Sequence, residues 1–227
     1  SLVGPEDDLS IQVHPDDEHA QKIGYKRGKN EAWFFIESDP GASIVYGQKT
    51  KNKEELQEMI NQDKWDDIYK KYPVADGNFV YLPAGCLHAM GKGNVVYEIQ
   101  QSTDVTYRFY DYHRKDKDGN ERELHLKQAT DCLSFDKDID KNDVHPVVKV
   151  HENVKETIFI SNDSFTVSQL LVIGKCQYKC DNYQLATVVK GSGKVDEYDV
   201  KVGDNFLIPT NTSIELDGQM MIMMTTK

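Results

Sequence analysis

The sequence predicts an all-β protein built as two sandwich- or barrel-like units. Three observations carry this. Short segments of alternating polar and apolar residues recur along the 227-residue chain, each bounded by Gly, Pro, Asn or Asp. A single stretch in the first half has clear helical periodicity. One turn-and-strand pattern occurs twice: Gly77-x5-Pro83 in GNFVYLP returns as Gly203-x5-Pro209 in GDNFLIP.

Taken in order, LSIQVHP sets Ile11 and Val13 against Ser10, Gln12 and His14, so the last three share one face of a strand. NEAWFFIE and ASIVYG read as strands. Residues 52–72 form the helical interruption, with Asn52 as N-cap and Glu55 as its capping-box partner. Leu56, Met59 and Ile60 supply one helical stripe, and Trp65, Ile68 and Tyr69 a second. GNFVYLPAG, NVVYEIQQ and VTYRFYDYH return to strand patterning, the aromatic run in the last marking strand propensity and core packing. KDKDGNERE at 115–123 is a surface hairpin or linker, and residues 124–133 suit a short helix. TIFIS, FTVSQLLVIG, YQLATVVKG, DNFLIP and TSIELDG follow, and MMIMM at 220–224 reads as a buried final strand. The domain boundary is expected near residues 140–150. This gives a first domain over 1–115, a linker with a short helix over 116–149 and a C-terminal β domain over 150–227. Downstream of the repeated motif the copies differ. His88 stands five residues past Pro83, whereas Ile214 stands five past Pro209. A ligand in the first domain and none in the second is the simplest account.

Composition narrows the partners. The chain is 38% hydrophobic and 29% charged with net charge −11, it has no apolar run long enough to span a bilayer, and its start shows no leader pattern. Acidity broken only by short basic pieces, such as residues 24–29, argues against nucleic acid and against membrane surfaces as partners. An anionic small substrate then needs a local basic pocket. Cys86, Cys132, Cys176 and Cys180 make neither a disulfide framework nor a zinc ligand set, so free thiols in a reducing cytoplasm are expected. No feature speaks to oligomeric state.

The chemistry-bearing residues are Gln12, His14, Glu31 and His88. A lone histidine on a strand face is more often a structural hydrogen-bonder than a metal ligand. His88 differs because it follows PAG, a tight turn able to aim its ring into a barrel mouth. Together the four offer two imidazoles, a carboxylate and a carboxamide oxygen, a thiolate-free set that suits Zn²⁺, Mn²⁺ or Fe²⁺. The pattern by itself leaves metal binding and plain hydrogen bonding equally open. Glu98 and Arg108 lie in apolar strand-like segments, where buried charge is costly unless paired, and by themselves they read first as a salt bridge between neighbouring strands. Lys29 reads as a solvated cation, and Ser10 as a strand-face hydroxyl bonded to backbone.

GNFVYLPAGCLH matches the cupin signature G-x5-P-x-G-x2-H through the histidine, although the asparagine expected beyond it is absent. With LSIQVHPDD, GKNEAWF and YEIQQSTDVTYRFYDYHR, in order from residue 9 to residue 114, the chain resembles type I mannose-6-phosphate isomerase, short bacterial form. The resemblance implies a cupin-type β-barrel or jelly roll, a second smaller cupin-like domain and a short helical insertion. It implies interconversion of mannose 6-phosphate and fructose 6-phosphate, with one Zn²⁺ per chain on Gln12, His14, Glu31 and His88. It places Ser10 and Lys29 at the sugar phosphate, Arg108 in turnover, and Glu98 as an acidic group of the pocket that handles or orients a proton. These roles suit the chemistry, because moving a proton between adjacent carbons needs a base and positive charge beside the substrate oxygens. A glutamine where a second carboxylate could stand preserves the positive charge of the centre. The family has a substantial stretch before LSIQVHP, whereas eight residues precede Leu9 here. The resemblance therefore implies sheet edges without that stretch's strands and a phosphate site without its upstream basic residue. Two other readings fit the same residues: a non-catalytic cupin that binds metal and senses sugar phosphate, and an iron cupin oxygenase using two His and one Glu.

Overall fold

The computed structural model describes residues 1–135 and 144–227. The chain divides into two compact units, Ser1–Asn142 and Asp143–Lys227. The boundary expected near residues 140–150 falls in part outside the described residues.

The first unit runs β1 (Leu2–Val3), β2 (Ile11–Val13), α1 (Asp17–Lys22), β3 (Glu31–Ser38), β4 (Ser43–Gln48), α2 (Lys53–Asn61), α3 (Trp65–Ile68), β5 (Tyr69–Pro73), β6 (Phe79–Leu82), β7 (His88–Met90), β8 (Asn94–Gln100), β9 (Tyr107–Tyr110) and α4 (Leu126–Cys132). Its strands form two antiparallel sheets, one ordered β1-β8-β3-β6 and the other β5-β4-β7-β2-β9. Period-two alternation assigns the faces. Trp33 and Phe35 of β3, Val80 and Leu82 of β6, and Val96 of β8 meet Ile44, Tyr46 and Met90 of the other sheet in one apolar interior. The intervening residues of the five-stranded sheet, Ile11, Val13, Ala89 and Phe109, with Leu87 just before β7, instead pack with Leu56, Trp65 and Ile68 of the helical segment and with Ala129 and Cys132 of α4. The five-stranded sheet is thus buried on both faces, and the segment expected as a linker supplies part of its cover.

The helical interruption is shorter than its periodicity predicts. Asn52 caps α2 by accepting from the Glu55 amide at 2.9 Å, and the Glu55 carboxylate reaches back to the Lys51 amide at 2.7 Å. Asp63, at φ 57°, ends the run. Trp65 and Ile68 complete one further helical turn, but Tyr69 to Pro73 form β5, paired with β4. WDDIYKKY fits both periods, and edge pairing with β4 decides for strand over its second half.

The second unit comprises β10 (Val147–His151), β11 (Val154–Ser161), β12 (Thr166–Ile173), β13 (Cys176–Cys180), β14 (Gln184–Val195), β15 (Tyr198–Lys201), β16 (Asn205–Ile208) and β17 (Thr212–Thr226). The main sheet path is β10-β11-β12-β17-β14-β15, with β13 on β17 and β16 on β14. Leu170, Val172, Ala186, Val188, Leu216, Met220, Ile222 and Met224 fill its core. The four cysteines are buried thiols outside any disulfide, and among the described residues no helix is long and apolar enough to cross a membrane.

The sequence repeat is also a structural repeat. Gly77 and Gly203 turn at φ +80° and +94°, a region costly for side-chain-bearing residues. The strands that follow pair alike: Leu82 lies opposite Glu31, and Ile208 opposite Gln184. Past the prolines, His88 lies opposite Gln12, and Ile214 opposite Tyr178. By register, then, Tyr178, Gln184 and Ile214 take the places of Gln12, Glu31 and His88. Two residues either side of Tyr178, Cys176 and Cys180 take those of Ser10 and His14.

Candidate functional site

The interior face of β2 organises the site. Gln12 lies opposite His88 of β7 on one side and Arg108 of β9 on the other, and directly opposed residues of neighbouring strands point to the same face. Arg108, Gln12 and His88 therefore form one transverse row, with His14 one inward step further along. Glu31 opens β3 in the facing sheet. Gly85 shapes the turn that delivers His88: it adopts φ +80°, and its amide donates to the His14 carbonyl at 2.8 Å. Gly28 performs the same service for Lys29. A Cβ there would lie 2.5 Å from the Pro15 oxygen, so only glycine lets residues 28–29 run against residues 15–16.

The side chains of His14, Glu31 and His88 are each 1% exposed. His14 Nε2 lies 3.3 Å from Glu31 Oε1, and His88 Nε2 lies 3.4 Å from Glu31 Oε2. The opposite ring nitrogens are tethered to backbone, His14 Nδ1 to the Val105 carbonyl and His88 Nδ1 to the Cys86 carbonyl, both at 2.9 Å. A carbonyl only accepts, so each Nδ1 carries the proton and each Nε2 presents its lone pair to the interior. Burial pulls the His14 imidazole below its usual range, which keeps it neutral. Burial pushes the Glu31 carboxyl upward, whereas the Lys29 ammonium, 2.9 Å from Oε1, favours its ionised form. Two lone pairs and an ionised carboxylate thus converge in a dry interior.

This arrangement fits a cation. His14 Nε2 and Glu31 Oε2 are buried without a hydrogen-bond partner, and one donor atom from each of the three residues lies within 4.8 Å of the others. The Gln12 carboxamide sits 3.4 Å from His88 Nε2, and a half-turn of its terminal amide brings the oxygen to the same place. The Lys29 ammonium lies 2.9 Å from Glu31 Oε1 and is mostly buried. Nitrogen and oxygen donors, their orientation fixed by second hydrogen bonds, suit a divalent metal ion.

Arg108 and Glu98 do not form the inter-strand salt bridge that their patterning also allowed. Arg108 Nη1 donates to the Glu123 carbonyl at 2.9 Å, and its Nε is buried without a partner. Glu98 is half-buried in the other sheet opposite Trp33, whose indole N–H donates to Oε1 at 3.0 Å. Trp33 in turn packs edge-on to His88, with ring centroids 5.7 Å apart. Ser10 is half-buried just before β2, on the Gln12 side by alternation.

Two residues of the site escape sequence reasoning. Trp33 links Glu98 to His88, and its place two residues past Glu31 was the available signal. His125 brackets the Arg108 backbone: its Nδ1 accepts from the Arg108 amide at 3.1 Å, and its own amide donates to the Arg108 carbonyl at 2.8 Å. Nothing in the pattern around His125 announces this.

Comparison with known proteins bears on what the site serves. A family model described as mannose-6-phosphate isomerase, cupin domain, matches residues 155–227. The mannose-6-phosphate isomerase of Streptococcus mutans is 37% identical over 228 aligned positions, taking in 98% of this chain and 71% of that protein. A mannose-6-phosphate isomerase of Bacillus subtilis is 36% identical over 217 positions, 92% of this chain and 67% of that protein. The crystal structure of a mannose 6-phosphate isomerase from Bacillus subtilis superposes with a TM-score of 0.93 at 30% identity, covering 100% of this chain and 74% of that one.

Proposed function

The chain belongs to the mannose-6-phosphate isomerase family, and from that premise we propose that it interconverts mannose 6-phosphate and fructose 6-phosphate at the site around Glu31. The observation that carries the metal part of this reading is the convergence of His14, Glu31 and His88 with both Nε2 lone pairs turned inward. Gln12, His14, Glu31 and His88 would hold the ion. Their donor set points to Zn²⁺, one per chain, which supplies positive charge beside the oxygens of the reacting carbons. The metal-bearing role falls to the first unit. In the second, the register-equivalent side chains are Tyr178, Cys180, Gln184 and Ile214.

The chain's own residues do the rest. Arg108 shares a row with Gln12 and His88, and its unpartnered Nε is free to donate to an oxygen that gains charge as the enediolate forms. Glu98, oriented by the Trp33 indole, holds or moves the proton that passes between the two carbons. Lys29 and Ser10 hold the sugar phosphate; with Glu31 committed to a cation, the Lys29 ammonium is released to meet an anion. The non-catalytic binder and the iron oxygenase are not favoured by membership of this family.

The test is an isomerase assay on mannose 6-phosphate with parallel metal analysis, before and after chelation. Conversion that disappears on chelation and returns with Zn²⁺ supports the proposal. Conversion indifferent to chelation removes the metal from it, and sugar-phosphate binding with no conversion under any metal leaves only the binder.

A further inference from the structure

The second unit has its own polar barrel mouth. On four strands, the residue one inward step beyond an apolar core residue is polar. Val154 is followed by Glu156, Leu170 is preceded by Ser168, Met224 is followed by Thr226, and Ala186 is preceded by Gln184. Because these strands are antiparallel neighbours, the four steps run toward the same end of the unit. There they line a cavity of about 590 Å³ together with Tyr178, Cys180 and Lys149. That size falls in the range of small-molecule sites, which favour the mouths of β-barrels. By register it is also the end at which the first unit gathers Gln12, His14 and Glu31.

The ring is built and not merely wet. Glu156, Ser168 and Thr226 are 9%, 4% and 8% exposed, so three strands bury polar side chains on successive rungs of that end: Glu156 lies opposite Leu170, Ser168 opposite Met224 and Thr226 opposite Thr166. The Tyr178 hydroxyl donates to Glu156 Oε1 at 2.9 Å, and Lys149, directly opposite on β10, places Nζ 3.7 Å from Oε2. The Thr226 hydroxyl is buried without a hydrogen-bond partner. A buried hydroxyl left unpaired is destabilising, a standing incentive for a ligand that supplies the missing bond.

The chemistry of the ring selects the ligand class. A divalent cation is poorly served by one carboxylate already engaged by Tyr178, and the metal-capable cluster among the described residues lies in the first unit. An anion would face Glu156. Lys149 pairs with Glu156, and at the exposed rim Lys179 pairs with Asp181 at 3.3 Å, so the charges cancel; the remaining lining is mainly hydroxyls and amides that both donate and accept, with His151 at the edge and Ile158 as an apolar wall. We propose that the mouth of the second unit binds a neutral polyhydroxylated molecule of monosaccharide size. The proposal does not depend on the isomerase reading of the first unit.

It is tested by amide NMR on the ¹⁵N-labelled full chain, titrated separately with D-glucose, D-mannitol and inorganic phosphate. Saturating shifts at Ser168, Gln184 and Thr226 with at least one polyol, and none there with phosphate, are expected. The double variant Ser168→Ala, Thr226→Val should weaken that response about tenfold or more, the worth of one or two hydrogen bonds. Should that variant lose its dispersed spectrum, Gln184→Ala at the half-buried rim gives the same readout. Shifts confined to the first unit, an equal response to phosphate, or no saturation with either polyol would overturn the proposal.

Discussion

Where the first unit sets His88 opposite Gln12, the second sets Ile214 opposite Tyr178 on the same kind of strand pair. The turn, its glycine and the pairing register are shared, and the difference lies in what the interior row contains. Ile214 is 5% exposed within a continuous apolar core that also takes in Tyr178 and Cys180. Burying such a side chain stabilises a fold by about 1.5–3 kcal/mol. At the matching position the first unit buries an imidazole against a carboxylate that also meets the Lys29 ammonium, with one nitrogen and one oxygen of the cluster unpartnered, and buried polar atoms left unpaired are costly. One scaffold therefore supports either a self-sufficient apolar core or a buried polar centre able to hold an ion.

Substitutions that exchange the two solutions break the comparison most directly. Glu31→Gln installs the residue that the second unit has at that place. The side chain keeps its shape but not its charge, so metal content should fall to background and kcat/KM by about 10²–10³-fold or more, as metal analysis and the isomerase assay will read. Retained metal with full turnover would mean that Glu31 is not a ligand. Arg108→Ala sharpens the comparison, because it removes positive charge from the same row while sparing every proposed ligand. Turnover should fall about 10²-fold with metal content normal; unchanged turnover would take Arg108 out of the mechanism.

The reverse exchange should produce instability and no function. Ile214→His places an imidazole in an apolar core where uncharged Gln184 stands in the place of Glu31, lowering unfolding free energy by about 1–3 kcal/mol in denaturant titration without adding a second metal equivalent. The smallest effect is expected at His125, which holds Arg108 through its backbone. His125→Ala should reduce kcat about tenfold or less and leave metal content unchanged. His125→Asn, whose side-chain oxygen can replace Nδ1 as acceptor, should recover most of that loss, whereas His125→Gln should not. Equal behaviour of all three variants would reduce His125 to a packing residue.

The alternating segments and the repeated Gly-x5-Pro motif were legible because each rests on a local rule, whereas the grouping of Glu31 with His14 and His88 was left open by the residues and came from the family resemblance. Strand alternation places Gln12 and His14 on one face, and the PAG turn aims His88. The conversion of Tyr69 to Tyr72 from helix to strand was not legible, since its pattern satisfies both periods and only pairing with β4 decides. Nor were the partners of Glu98 and Arg108. Trp33 and the 123–125 segment reach them through tertiary folding, across sequence separations of 65 and of 15 to 17 residues. The equivalence of Cys176, Tyr178 and Cys180 with Ser10, Gln12 and His14 likewise appears only once the register is known.

The Nδ1 tethers of His14 and His88 both end on main-chain oxygens, those of Val105 and Cys86. Replacing the side chain at position 86 or 105 leaves either anchor in place, so drift in residue identity there is tolerated by the imidazoles. A change in loop length is not: a single-residue deletion between Gln101 and Tyr107 would swing the carbonyl away and free the His14 ring to rotate. The durability of this centre is therefore written in the path of the polypeptide, and insertions and deletions, more than point changes, are the lesions that would silence it.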